Sequence, residues 1–128
     1  MDFRLWSRVF SWMREQEYLG DCDIVAVAGA SKGIADGDEV GNVLLKQIDS
    51  SVSLHKTQRV ILLHHSDCGA YAKSYQFESA AEEKEKQIED MNKSVKIIKE
   101  KFPEVQIELV WGELMDENGE DIEFSEIK

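Results

Sequence analysis

In the stretch Ile61 to Tyr71, ILLHHSDCGAY, an apolar run ends abruptly in two imidazoles, a carboxylate and a thiol. Val60 to Leu63 read as a buried strand, and the groups that follow, His65, Asp67 and Cys68, are of the kinds that bind metals or move protons. Neutral imidazole and thiolate are both good zinc ligands, and a His and a Cys three positions apart at a strand-to-loop transition can reach one ion. Gly69 allows the chain to turn tightly after them. Two such ligands make half a site. Taken alone, an HxxC is better read as a strand-end histidine followed by a buried thiol, and it is the flanking pattern that reverses this preference.

Neighbouring candidates sort by position. Strand alternation points His64 to the face opposite His65, as a core or interface histidine. Cys22 lies before the preceding apolar run, and about six strand residues separate it by roughly 20 Å from the His65 edge. It is read as structural, because a zinc–sulfur bond spans only about 2.3 Å. His55 reads as exposed, Lys32 as a solvated loop lysine with an anion as the alternative, and Tyr71 as core or as a wall of the site. Asp67 is either an acceptor that tunes a ligand or a neighbouring loop, or a turn-forming carboxylate.

The elements that position these groups follow from hydrophobic spacing. Leu5 to Tyr18 repeats apolar residues every three or four positions and reads as a helix closed by Gly20. Asp23 to Ala28, DIVAVA, is short, β-branched and bounded by glycine, which predicts a buried strand leading into the glycine-rich loop GASKGIADGDE. Helical spacing returns from Asp38, a capping residue, to Leu54, and Gln58 to His65 forms the next strand. Both strands are apolar on both faces and joined by a helix, so they are expected to be parallel neighbours in a sheet covered on each side.

Glu78 to Phe102 reads as a long charged helix with an apolar stripe at Ile88, Met91, Val95 and Ile98, stopped by Pro103. Val105 to Trp111 alternates as a strand with one more polar face, which suggests a sheet edge. Asn118-Gly119 is a turn signal that folds Asp121 to Phe124 back as a short antiparallel strand. The expected fold is therefore a single three-layer α/β domain with a mainly parallel sheet, and its functional groups at the carboxyl ends of the strands.

Composition narrows the function. The 128 residues are 42% hydrophobic, enough for one domain with a genuine core. No apolar run approaches the roughly 20 residues of a membrane helix, and MDFR is unlike a secretory signal. A reducing cytoplasm is expected, with metal binding or burial rather than a disulfide for the two cysteines. A formal charge of −11 with no basic patch argues against nucleic acid.

Three stretches together resemble the β class of carbonic anhydrases, more narrowly a small bacterial group of carbonic-anhydrase-like proteins. His65-Ser66-Asp67-Cys68-Gly69 is similar to that family's HxxC zinc motif, Val27-Ala28-Gly29-Ala30 with Gly33 to a loop lining its site, and Asp2-Phe3-Arg4 to the end of its CxDxR motif. The resemblance implies Zn2+ held by His65 and Cys68, with catalytic roles for Asp2 and Arg4. Zinc-activated hydroxide would hydrate carbon dioxide reversibly, Asp2 orienting it and Arg4 keeping Asp2 ionised, or Asp2 would itself close the open metal position. It also implies a homodimer, with Trp6, Phe10 and Trp12 as candidate contacts. The motif's cysteine falls directly ahead of Met1, as does a strand that in the family runs between the two strands read above. A product that begins further upstream is expected, since Leu5, Trp6 and Phe10 otherwise lack a packing partner. The alternatives are a non-catalytic binding or interaction protein that has lost this ligand, and a zinc hydrolase of a related small sulfur substrate.

Overall fold

A computed structural model describes residues 1–128. It has five helices, α1 (Trp6–Glu15), α2 (Lys32–Asp36), α3 (Glu39–His55), α4 (Gly69–Ser74) and α5 (Ala80–Lys101), and three strands, β1 (Arg59–His65), β2 (Gln106–Leu114) and β3 (Ile122–Ile127). The class is mixed α/β, as the alternation of periods predicts. The sheet order is β1-β2-β3. β1 and β2 are parallel, with His65 opposite Gly112, and β2 and β3 are antiparallel, with Gly112 opposite Phe124.

Local chemistry sets the boundaries. Asp38 caps α3 by accepting the Gly41 N–H at 2.9 Å, and Ser79 caps α5 by accepting that of Glu82 at 3.2 Å. α2 and α3 touch backbone to backbone: a Cβ on Gly41 would lie 2.1 Å from the Gly33 carbonyl oxygen. Ile34, Leu44, Leu62, Met91, Ile98 and Leu109 form the core between α2, α3, α5 and the sheet. Burial of each such side chain contributes about 1.5–3 kcal/mol. α1 is joined to the sheet through Trp12, stacked on Phe124 with ring centroids 5.3 Å apart.

Several expectations are corrected. Asp23 to Ala28 is extended but is not a strand, and it is no neighbour of β1. None of Cys22 to Ala26 makes a backbone hydrogen bond, and Ile24 and Val25 are each 50% exposed. The reason is that a ladder requires a partner at about 4.8 Å. What adjoins this segment instead is a cleft of about 1420 Å³, lined by Ile24 to Val27 and by Ile61 and Leu63 of β1. β2 is not an edge: it lies between β1 and β3, its polar positions confined largely to its start while Leu109, Val110 and Trp111 are buried. The sheet has one parallel and one antiparallel pair rather than a parallel majority. Two short helices, α2 and α4, occupy stretches read as loop. Cys22 is exposed rather than buried.

Candidate metal centre

His65 ends β1, and Ser66 to Cys68 turn the chain into α4. The His65 ring is oriented by the next residue's backbone: Nδ1 donates to the Ser66 carbonyl at 2.7 Å, which leaves Nε2 free of that bond and facing Asp2. That is the tautomer a metal-ligating histidine adopts. Cys68 is buried, and burial, the largest single influence, pushes its thiol up, but His65 and the backbone N–H groups of Tyr71 and Ala70 together outweigh it and bring the thiol below its ordinary range. For His65, burial disfavours the imidazolium, and the hydrogen bond and charge of Cys68 outweigh that to raise it. Metal ligation needs a thiolate and a neutral imidazole, so an ion held by both would displace the protons these groups carry.

Asp2 and Arg4 reach the same end of β1 from the start of the chain. Arg4 Nη2 donates to Asp2 Oδ2 at 2.8 Å and Nε to Oδ1 at 3.1 Å, and these bonds hold the Asp2 carboxyl below the usual carboxylate range. Asp2 Oδ2 lies 3.9 Å from His65 Nε2. Arg4 also reaches forward, Nη1 to Asp67 Oδ2 at 2.8 Å and Nη2 to the Asp67 carbonyl at 3.0 Å. Asp67 therefore both turns the chain, at φ +55°, and accepts from Arg4. Arg4 is placed from outside by the β2–β3 turn, where Gly119 at φ +70° passes so close that a Cβ would sit 2.4 Å from the Arg4 carbonyl oxygen. The Met1 amino group donates to the Val27 carbonyl at 2.8 Å, which brings the start of the chain to the loop after the extended segment.

α5 supports the HxxC turn from beneath. Glu83 accepts the Asp67 N–H at 3.1 Å and the Cys68 N–H at 2.9 Å, and Gln87 donates to the His65 carbonyl at 2.9 Å. His64 is buried, as strand alternation predicts, with Nδ1 donating to Gln87 Oε1 and Nε2 accepting from Ser31. Glu83 and Gln87 went unread in the sequence. Their only signal is that Gln87, Asp90 and Ser94 repeat at helical spacing alongside Met91 and Ile98, so a polar row shares the buried face.

The remaining candidates stand apart. Lys32 is spoken for by Asp36 at 2.6 Å and lies over the rings of Tyr71 and Tyr75, so no geometry offers it to an anion. Tyr71 is fully buried and donates to Asp90 at 3.0 Å. His55 is exposed and pairs with Asp23 at 2.7 Å, on the far side from His65 along the extended segment.

The donor chemistry of His65 and Cys68 fits zinc, but the number of donors does not complete a site. No group of three or more His, Cys, Asp or Glu side chains is gathered to hold a metal ion. A catalytic zinc takes three protein ligands.

Residues 1–120 match the protein family described as "Putative carbonic anhydrase", and the chain belongs to that family. It is 32% identical over 112 residues to an uncharacterized protein of Rickettsia bellii, covering 84% of this chain and 68% of that relative. It is 28% identical over 112 residues to one of Rickettsia conorii, covering 84% of this chain and 60% of the relative, less than two thirds of its length. No solved structure matches. No helix is long and apolar enough to cross a membrane.

Proposed function

We propose that this chain carries most of a zinc-dependent carbonic-anhydrase-like lyase that hydrates carbon dioxide reversibly. The observation that carries the reading is the convergence of Asp2, His65 and Cys68 on one end of β1, with Asp2 Oδ2 3.9 Å from His65 Nε2. When bound, zinc supplies the Lewis acidity that makes hydroxide available from water near neutral pH. His65 and Cys68 are two of its ligands. Asp2, kept ionised by Arg4, accepts a hydrogen bond from the reacting water and orients it toward carbon dioxide.

The third ligand is proposed to be a cysteine directly ahead of Met1 in the native product, preceded by a strand that fills the cleft between Ile24–Val27 and β1. Two features support this: the cleft has an unpaired backbone edge on its Cys22–Ala26 wall, and Met1 sits at Val27. With that strand the sheet would become mainly parallel and three-layered. We also place the protein in a reducing cytoplasm, consistent with two free thiols, and as a homodimer, for which the stacked and half-exposed Trp6 and Phe10 are the contacts available.

A product extended upstream through the cysteine tests the proposal. It is expected to carry about one zinc per chain and to hydrate carbon dioxide; absence of both sinks it. A second reading, a non-catalytic binding protein of the same family, is favoured by the absence of a three-donor cluster. It predicts no zinc in the extended protein and no effect of Cys68→Ser on whatever is bound.

A further inference from the structure

We infer that Glu83 is a positioning residue for the metal loop, fixing from α5 the backbone on which Cys68 presents its sulfur to His65. The inference rests on the reading of His65 and Cys68 as ligands. Three donors converge on one carboxylate. Glu83 Oε2 accepts the Asp67 N–H at 3.1 Å, and Oε1 accepts both the Cys68 N–H at 2.9 Å and Gln87 Nε2 at 2.9 Å. The same Gln87 amide nitrogen donates to the His65 carbonyl at 2.9 Å, and its oxygen accepts from His64. Gln87 is fully buried, so these bonds set its orientation. Two α5 residues one turn apart therefore hold His64, His65, Asp67 and Cys68.

The loop has need of such a hold. Asp67 is in the left-handed region, at φ +55°, which aspartate adopts more readily than most residues but still at a cost that surrounding contacts offset. Arg4 grips Asp67 at its carboxylate and carbonyl, and Glu83 grips the N–H on the other side of the same residue. Releasing either lets the turn relax and the sulfur leave its alignment with His65. The chemistry requires a carboxylate, because two successive N–H groups aim at two acceptor oxygens. A glutamine offers one oxygen and would turn an NH2 toward the other amide.

A glutamate in the first turn of a helix also favours the helix dipole, and a role confined to that would be shared by Glu82. The experiment, made in the protein extended upstream through the cysteine, compares Glu83→Gln with Glu82→Gln, reading amide hydrogen exchange by NMR and binding of Co2+ followed by its thiolate charge-transfer absorption. Far-UV circular dichroism confirms that both variants fold. Expected are exchange at the Asp67 and Cys68 amides at least about tenfold faster in Glu83→Gln, with the Leu62 amide unchanged, and cobalt affinity about tenfold weaker, the low end for loss of a group that supports a ligand. Glu82→Gln should do neither. Unchanged exchange and affinity in Glu83→Gln, or equal effects of the two variants, overturns the inference. If the unsubstituted protein shows no cobalt–thiolate band while Glu83→Gln still frees the two amides, the ligand reading falls, and the metal-positioning role with it, but the tether stands.

Discussion

Arg4 Nη2 bonds Asp2 Oδ2 at 2.8 Å and the Asp67 carbonyl at 3.0 Å, so one guanidinium edge joins the start of the chain to the turn between His65 and Cys68. It thereby fixes the distance between a carboxylate and a prospective ligand pair that are remote in sequence. A planar fork of donors can do this, and a lysine ammonium cannot reproduce it.

Arg4→Lys is accordingly expected to behave almost as Arg4→Ala. Both should cost about 2–3 kcal/mol in denaturant unfolding, the scale of charge-assisted hydrogen bonds lost from a mostly buried side chain. In the extended protein, carbon dioxide hydration should fall about 10–100-fold. Retention of full activity by Arg4→Lys would show that Asp2 is placed by something else.

Gly119→Ala tests the outer support. A methyl there meets the Arg4 carbonyl oxygen at 2.4 Å, whereas at Gly20, φ +83°, it would meet nothing within 4 Å. Both substitutions carry the left-handed backbone cost of about 1–2 kcal/mol. Only Gly119→Ala should also displace Arg4, so its loss of stability should exceed that of Gly20→Ala and be accompanied by NMR shift changes at Asp67.

His64 predicts an acid-sensitive fold. Burial holds its imidazole neutral, with its pKa lowered to about 4 from an ordinary 6.5. The unfolded chain then binds the extra proton first, so this stability is fully present above pH 6.5 and is lost as pH falls from 6.5 toward 4. The loss amounts to about 3 kcal/mol at 1.36 kcal/mol per pH unit, read as the pH dependence of urea unfolding. His65, raised against its burial by Cys68 and its other partners, works in the opposite sense, so the test is the difference from His64→Gln: an acid-side slope the same in that variant would contradict the assignment to His64.

Much of this was legible from local pattern. The α3 cap, the α5 helix, β1, the β2–β3 hairpin and the opposite facing of His64 and His65 all follow from spacing and turn chemistry over a few residues. What failed depends on partners far away in the chain. DIVAVA has strand composition, but composition cannot supply the neighbouring backbone that makes a strand, and β2 looked like an edge because Gln106 and Glu108 precede its buried half. The candidate site was legible through His65 and Cys68, whose residue types alone single them out. Glu83 and Gln87 were not, because on a helix as charged as α5 a glutamate aimed at a loop reads the same as one aimed at water. Asp67 was undecidable from sequence for a different reason: its backbone makes the turn while its carboxylate accepts from Arg4, a partner 63 residues away.

The central claim is that His65 and Cys68 are zinc ligands completed by a cysteine just upstream of Met1. Zinc K-edge absorption on the extended protein addresses it most directly. The account predicts about one zinc per chain with two sulfur neighbours at about 2.3 Å and one imidazole nitrogen at about 2.0–2.1 Å, reduced to one sulfur in Cys68→Ser. An extended protein without stoichiometric zinc, or a zinc environment unchanged by Cys68→Ser, would contradict it.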